Sequence, residues 1–261
     1  MDFQGFNITK LKEMVQTVEE SNMLIDAIIR PFVADNLNRK QGLELCQVGK
    51  FLSLLDAPSS IVERRESPDF IISFDGETIG LEHESIIDEK IASDYRSVSD
   101  LFNDAAKQFS HKYPDNKILA NIYLSVDRLV FKKHERAVFI DQIVEFISNY
   151  LNDSKTIKPY FIERLSVSKH SGVKFIYNSG AHYVEPLNEE RLISAIRKKE
   201  VRINNYIHKS KIKKQWLLLT TGTYGPDSFD YGESPFNIEV KTNFDRIYLL
   251  EDFNSCLWRI K

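Results

Sequence analysis

The chain has 261 residues, of which 42% are hydrophobic and 28% are charged, with only 10 Gly and 8 Pro. This composition excludes collagen-like repeats and long disordered linkers, and it provides enough apolar surface for a substantial core. No run of about 18 apolar residues is present and the N-terminus lacks the pattern of a secretory signal, so we expect a cytoplasmic protein without a membrane span. The two cysteines lie far apart and form neither a disulfide framework nor a metal motif, as in a reducing compartment.

Apolar periodicity predicts helices and strands along the whole chain. In chain order, the predicted elements are helices at 11–29 and 43–55, a hairpin of strands 70–74 and 78–83, a helix at 99–112, a strand at 118–126, a helix at 140–151, a hairpin of strands 162–168 and 173–177, a helix at 189–208, and strands at 216–221, 246–250 and 256–260. The two hairpins are expected to turn at Asp75-Gly76 and Ser171-Gly172. This order predicts a mixed α/β (α+β) fold with helices against a central mixed sheet. We expect a helical N-terminal segment at 1–58 and a single domain at 59–261.

The charge is unevenly distributed. The overall value of −3 excludes a uniformly basic nucleic-acid binder, but it does not exclude a locally basic one. Between Arg191 and Lys214, nine Lys or Arg residues stand against a single acid, Glu200. Two interpretations are open: a solvated helix face, or a surface that meets phosphates.

Acidic residues surround the first predicted hairpin. With Asp75-Gly76 as the turn, Asp69 lies directly opposite Glu82, and side-chain alternation places Glu84 on the same face. Like charges in opposed positions destabilise a sheet unless a cation lies between them, and carboxylate oxygens suit Mg²⁺ or Mn²⁺. The alternative is three solvated acids at a sheet edge. Gly80, beside them, is expected to leave room for a substrate.

Pro68-Asp69, followed after a hairpin by Glu82-His83-Glu84, resembles the PD-(D/E)XK nuclease superfamily, which has the restriction-endonuclease-like fold. The sequence is similar to uncharacterised bacterial members, and the similarity continues through Ile196-Arg197-Lys198-Lys199, Tyr206 and Trp216-Leu217-Leu218-Leu219, over about residues 60 to 260. It implies a metal-dependent hydrolase of phosphodiester bonds in DNA, with RNA as the less favoured alternative to DNA. Position 84 departs from the motif, which ends in Lys.

The resemblance implies roles for four catalytic candidates. Asp69 and Glu82 would hold Mg²⁺ or Mn²⁺ with the backbone carbonyl of His83, and Glu84 would bind the metal or accept the proton of the attacking water. Lys199 is the candidate for the missing motif lysine, because it falls inside the apolar stripe of its predicted helix. The alternative is that its ammonium reaches past the stripe to the surface. The residues expected to bind the nucleic-acid backbone are Lys198, Arg202, Lys211 and Lys214.

Other residues and functions remain open. His83 falls on the apolar face of the hairpin and is expected to be packed rather than a ligand. Glu63 or Glu66 could add an acid to the site, or be an ordinary solvated acid. The second functional hypothesis is a non-catalytic module of the same fold that binds nucleic acid or a protein, and a third is a hydrolase of small nucleotides. The sequence leaves the oligomeric state open, a homodimer included.

Overall fold

The computed structural model describes residues 8–33, 37–126, 129–153, 155–179, 184–222, 225–231 and 238–261, with side chains from residue 16 onward. The chain forms two compact units. The first unit comprises Met1–Ile87, Glu185–Tyr224 and Ser228–Lys261, and the second unit comprises Asp88–Val184 and Gly225–Asp227. This division differs from the expected boundary after residue 58, because the helix before that boundary packs into the core of the first unit and the second unit has a core of its own.

The helices are α1 (Ile8–Ile29), α2 (Arg39–Ser53), α3 (Glu89–Lys112), α4 (Arg136–Asn152), α5 (Glu189–Glu200) and α6 (Ile203–Ser210). The strands are β1 (Ser59–Arg64), β2 (Phe70–Phe74), β3 (Glu77–Ser85), β4 (Ile118–Leu124), β5 (Ile162–Lys169), β6 (Lys174–Asn178), β7 (Gln215–Thr221), β8 (Arg246–Glu251) and β9 (Cys256–Arg259). Strand β1 was not predicted. Helix α3 begins earlier than expected, where the Asp88 carboxylate caps it by accepting the backbone N–H groups of Lys90 and Ile91.

The first unit is built on a six-stranded mixed sheet in the order β1-β2-β3-β7-β8-β9. Strands β1, β2 and β3 form an antiparallel meander, whereas β3, β7 and β8 run parallel to one another. Strand β9 closes the sheet antiparallel to β8. Strand β3 is therefore the interior strand at which the antiparallel half meets the parallel half, and it carries Glu82 and Glu84.

Helices cover both faces of this sheet. On one face α2 inserts Val48 and Phe51 among side chains such as Leu81 of β3. On the other face α5 and α6 pack Ile196 and Ile203 against side chains of β7 and β8. Burying one such large apolar side chain stabilises a protein by about 1.5–3 kcal/mol. The unit thus has a mixed sheet flanked by helices, as predicted, with α2 as part of its core rather than part of a separate segment.

The helix predicted at 189–208 is two helices, so that expectation of one continuous element is wrong. The interruption falls at Val201 and Arg202, where the N–H of Arg202 donates to the carbonyl of Lys199 at 3.0 Å in a tightened turn. The carboxylate of Glu200 accepts hydrogen bonds from Thr242 and Asn243, which ties this turn to a neighbouring loop. Val201 is 82% exposed, so no packing of its side chain supports a continuous helix there.

The second unit has a three-stranded sheet in the order β5-β4-β6, packed against α3 and α4. The predicted hairpin of β5 with β6 is wrong, because both strands pair with β4, β5 antiparallel and β6 parallel. The connection from β5 to β6 passes the N-terminal end of β4, where the N–H of His170 donates to the carbonyl of Lys117. Within the described residues, no helix of either unit is long and apolar enough to cross a membrane.

Candidate active site

The first hairpin has the predicted register. Asp75 and Gly76 both have positive φ angles, 49° and 76°, as a two-residue turn of this kind requires. Phe70 pairs with Leu81 and Phe74 with Glu77, so the expected alignment is confirmed between these two pairs, and the ladder ends one residue short of Asp69. Asp69 precedes β2, and its Oδ2 accepts the backbone N–H of His83 at 2.9 Å. The structure therefore brings Asp69 to the part of β3 that carries Glu82.

Glu82 is buried, and its two carboxylate oxygens differ in their surroundings. Oε1 accepts hydrogen bonds from Lys199 Nζ at 2.7 Å and from the Tyr206 hydroxyl at 2.9 Å. Oε2 is buried and accepts no hydrogen bond from any residue that the structure describes. A buried carboxylate oxygen without a partner is costly, because the desolvation of a charged group is not offset. This oxygen has the character expected of a group that receives a ligand.

Glu84 lies between two lysines. Its Oε1 accepts a hydrogen bond from Lys198 Nζ at 2.6 Å, and its Oε2 lies 3.2 Å from Lys199 Nζ. Burial by itself raises the pKa of Glu84, but the hydrogen bond from Lys198 and the charge of Lys199 outweigh burial, so this pKa lies below its usual value. Lys199 thus bridges Glu82 and Glu84 from the end of α5, with its side chain only 10% exposed. The ammonium points at the carboxylates and does not reach past the apolar stripe to the surface.

Asp69 and Lys199 both have shifted pKa values, because burial and neighbouring charges act on them. Burial, and then the negative charge of Glu82, raise the pKa of Asp69 to about 7, against the opposing effects of the His83 N–H and Lys199. Burial lowers the pKa of Lys199, but the attraction of Glu82, Glu84 and Asp69 exceeds that effect and leaves this pKa above its usual value. The cluster therefore holds a firmly charged lysine, yet it still disfavours ionisation of Asp69. Burial is the larger of the two causes that disfavour ionisation of Asp69, and the charge of Glu82 is the second.

On the opposite face of β3, the side chain between Glu82 and Glu84 is His83, which is neutral. His83 is packed there, as predicted, with its Nε2 2.9 Å from Gln47 Oε1 and 3.3 Å from the Thr220 hydroxyl. The Gln47 amide nitrogen donates to Asp252, so its oxygen faces the imidazole and the His83 Nε2–H donates to it. Burial is the main cause that lowers the pKa of His83 to about 4. His83 is a neutral core residue whose backbone N–H holds Asp69.

A divalent cation fits part of this cluster. Within the described ranges, no three or more His, Cys, Asp or Glu side chains come together at the spacing of a metal site. Asp69 and Glu82 nevertheless offer hard oxygen donors, and one of these oxygens, Glu82 Oε2, is buried without a partner among the described residues. Glu84 differs from them, because its ion pairs with Lys198 and Lys199 engage both of its oxygens. Asp69 and Glu82 are the acids that would hold such an ion, whereas Glu84 is paired with Lys198 and Lys199 in this structure.

Three further residues were not identified from the sequence as parts of the cluster. The charge of Glu44, on α2, acts on Asp69 and raises its pKa. Gln47 orients His83, and the Tyr206 hydroxyl binds Glu82. A polar Gln47 within the apolar stripe of α2 was a detectable signal, whereas nothing in the sequence marked Glu44. Glu63 and Glu66, the acids considered instead, are both exposed.

Gly80 does not leave room for a substrate, so that expectation is wrong. A Cβ atom at this position would lie 2.5 Å from the side-chain nitrogen of Gln215. Gln215 is fully buried, and its amide donates to the carbonyl of Ile212 at 2.8 Å. The glycine is required because the side chain of the adjacent strand β7 fills the space above it.

The four basic candidates occupy different situations. Lys198 pairs with Glu84, and Lys214 pairs with Glu77 at the hairpin turn. Arg202 precedes α6, and Lys211 ends it with a left-handed backbone at φ 62°. The carbonyl of Lys214 accepts the N–H of Gly80, which places the basic segment at 211–214 beside β3. Two of the four cations are thus engaged within the chain.

Comparison with known proteins returns no match among family models, curated proteins or solved structures.

Proposed function

We propose that this chain is a metal-dependent nuclease of the PD-(D/E)XK type that hydrolyses phosphodiester bonds in DNA, with RNA as the less favoured alternative to DNA. The observation that carries the proposal is the buried, unpartnered Oε2 of Glu82 beside Asp69. Two carboxylates in this state are stabilised by a cation, and their oxygens suit Mg²⁺ or Mn²⁺. The fold supports the proposal only at a coarse level, as a mixed sheet flanked by helices.

In this proposal Asp69 and Glu82 hold the metal ion, and the carbonyl of His83 assists them as the resemblance implies. When bound, the metal supplies a lowered pKa for a coordinated water and polarises the scissile phosphate. The His83 N–H fixes the Asp69 carboxylate at 2.9 Å, and Lys199 and Tyr206 fix the Glu82 carboxylate at 2.7 and 2.9 Å. These contacts orient both donors before a ligand arrives.

Lys199 and Glu84 together replace the motif lysine in this proposal. The superfamily motif has a lysine at the position that corresponds to Glu84, where this chain has an acid. Glu84 draws the ammonium of Lys199 into the cluster from α5, so a positive charge is restored in space although not in sequence. That ammonium is placed to stabilise negative charge developing on the phosphate. Glu84 positions Lys199 in this role, rather than acting as a metal ligand or a base.

The basic side chains around α6 support nucleic acid as the substrate class. Arg202 and Lys211 border α6, which packs on the face of the sheet that carries Glu82. Contacts between such side chains and phosphates give affinity that depends on salt and little on sequence. Lys198 and Lys214 contribute in the same way once their partners Glu84 and Glu77 are outcompeted by phosphate.

The test is a cleavage assay with single- and double-stranded DNA and RNA in Mg²⁺, in Mn²⁺ and in EDTA. Asp69→Asn keeps the shape of the side chain but removes a metal-binding charge, so cleavage should fall by about 100-fold or more. Glu66→Gln removes an exposed acid three residues away and is the matched control, with unchanged cleavage expected. A wild-type protein that cleaves none of these substrates in either metal would contradict the proposal.

One observation favours a second candidate, a non-catalytic module that binds nucleic acid. The ammonium of Lys199 already lies within 2.7 and 3.2 Å of Glu82 and Glu84, so part of the negative charge is compensated without a metal. This candidate predicts binding of the same oligonucleotides with equal affinity in Mn²⁺ and in EDTA, no cleavage, and no effect of Asp69→Asn. Measuring binding beside cleavage separates the two functions.

A further inference from the structure

Helix α6 contacts the segment before β2, which carries Asp69, and strand β3, which carries Glu82, through consecutive residues. The amide nitrogen of Asn205 donates to the hydroxyl of Ser67, two residues before Asp69, at 3.2 Å. The hydroxyl of the next residue, Tyr206, donates to Glu82 at 2.9 Å. A third contact joins the guanidinium of Arg65 to the carbonyl of Lys209 at 3.3 Å. The helix is thus attached to the segment that leads into Asp69 and to the side chain of Glu82.

The Tyr206 contact also selects one oxygen of Glu82. Tyr206 and Lys199 both donate to Oε1, and neither reaches Oε2. A carboxylate held in this way presents Oε2 alone to a ligand. Tyr206 itself is only 2% exposed, and its ring packs beside Phe244, so its hydroxyl has little freedom to move away.

We propose that Tyr206 is a positioning residue that, with Asn205, sets the placement of Asp69 and Glu82 for a divalent cation and leaves Glu82 Oε2 as the single coordinating atom of that side chain. The inference rests on the proposed function, because it concerns the same carboxylates. Hydrogen-bonding partners of metal ligands typically contribute 10- to 100-fold to metal affinity. Tyr206 acts through Glu82 and touches neither substrate nor metal.

The experiment measures Mn²⁺ binding to the full chain by electron paramagnetic resonance, with the unfolding temperature of each variant recorded in parallel. Tyr206→Phe should weaken Mn²⁺ binding by about 10- to 100-fold in protein that remains folded. Tyr248→Phe is the matched control, since it removes another buried tyrosine hydroxyl of the same unit, one that accepts a hydrogen bond from Arg246. Its Mn²⁺ affinity should equal that of the wild type. Asn205→Ala tests the other contact and should weaken Mn²⁺ binding by a smaller factor, with Ser67 left unpaired.

The outcomes separate this inference from the proposed function. A wild type that binds no Mn²⁺ overturns both. A wild type that binds Mn²⁺ together with a Tyr206→Phe variant of equal affinity leaves the metal site standing and overturns the role of Tyr206. Equal weakening in Tyr206→Phe and Tyr248→Phe also overturns it, because the effect would then be general loosening. If Tyr206→Phe does not fold, an Asn205→Ala variant with wild-type affinity contradicts the placement of the carboxylates by α6.

Discussion

The two faces of β3 show opposite solutions to the burial of polar groups. On one face Glu82 and Glu84 are charged and crowd against Asp69 and Lys199, and one carboxylate oxygen has no partner. On the other face His83 is neutral and hydrogen-bonded to Gln47. We call these the carboxylate face and the histidine face. They belong to the same strand and alternate residue by residue, so the strand itself does not explain the difference.

The difference lies in what packs against each face. Helix α2 covers the histidine face with apolar side chains and the amide of Gln47, whose oxygen accepts from the neutral His83 and whose nitrogen donates to Asp252. Helices α5 and α6 bring a lysine and a tyrosine to the carboxylate face, which satisfy Glu82 on one side only. On the histidine face the buried imidazole is neutral and hydrogen-bonded, whereas on the carboxylate face burial and the charge of Glu82 disfavour ionisation of Asp69. Such an arrangement is typical of a site that awaits a ligand.

The largest expected loss of stability comes from removing the cation of the carboxylate face. Lys199→Met removes the cation shared by Glu82 and Glu84 and leaves buried charge without compensation, so the free energy of unfolding should fall by about 3–5 kcal/mol. Lys198→Met is the matched control, because its side chain is 54% exposed, and should cost less than about 1 kcal/mol. Denaturant unfolding of both variants measures the difference. Equal stabilities for Lys199→Met and the wild type would show that the ammonium of Lys199 is not needed to compensate Glu82 and Glu84.

The pH dependence of the free energy of unfolding tests the raised pKa of Asp69. The folded-state pKa of Asp69 is raised from 3.8 to about 7, so the folded protein favours the protonated form. The metal-free wild type should therefore lose stability relative to Asp69→Asn as the pH rises through this window. The difference should be near zero at pH 4 and reach on the order of 2 to 4 kcal/mol above pH 7, at about 1.4 kcal/mol per unit. Thermal unfolding in EDTA at several pH values measures it, and a difference that does not vary with pH would contradict the shifted pKa.

A smaller effect is expected on the histidine face. Gln47→Met removes the acceptor of the His83 Nε2–H and a donor to Asp252, which should reduce the free energy of unfolding by about 1–3 kcal/mol. Mn²⁺ affinity should stay unchanged, because Asp69 is held by the backbone of His83 and not by its ring. Gln16→Met, at an exposed position of α1, is the control and should change stability by less than about 0.5 kcal/mol. Loss of Mn²⁺ binding in Gln47→Met would mean that the two faces are coupled.

The smallest effect per residue concerns the cations beside α6. Arg202→Gln and Lys211→Asn should each lower the slope of log affinity against log salt by about 0.9 on duplex DNA, if each side chain meets one phosphate. Asn is chosen at position 211 because it tolerates the left-handed backbone found there. Lys107→Gln, in the second unit, serves as the control and should leave the slope unchanged. If the slopes of Arg202→Gln and Lys211→Asn stay unchanged like that of the control, these cations belong to a solvated surface that does not bind phosphate.

Local sequence determined the hairpin and therefore the meeting of Asp69 with Glu82. A two-residue turn at Asp75-Gly76 sets the register, and the two-residue period of a strand sets the face, so both follow from neighbouring residues alone. The packed state of His83 followed from the same alternation. The position of Lys199 in an apolar stripe indicated that its ammonium needed a partner, but the stripe did not say which one.

Tertiary structure alone decided the identity of the partners. Lys199 and Tyr206 lie 117 and 124 positions from Glu82 in the chain, and periodicity carries no information across such separations. The same limit explains the wrong hairpin of β5 with β6, because β4, which separates them, comes earlier in the sequence than both. It also explains Gly80, whose missing side chain makes room for Gln215 on a strand that becomes its neighbour only through a parallel crossover. Local rules place side chains on faces, whereas the packing of distant elements decides what those faces meet.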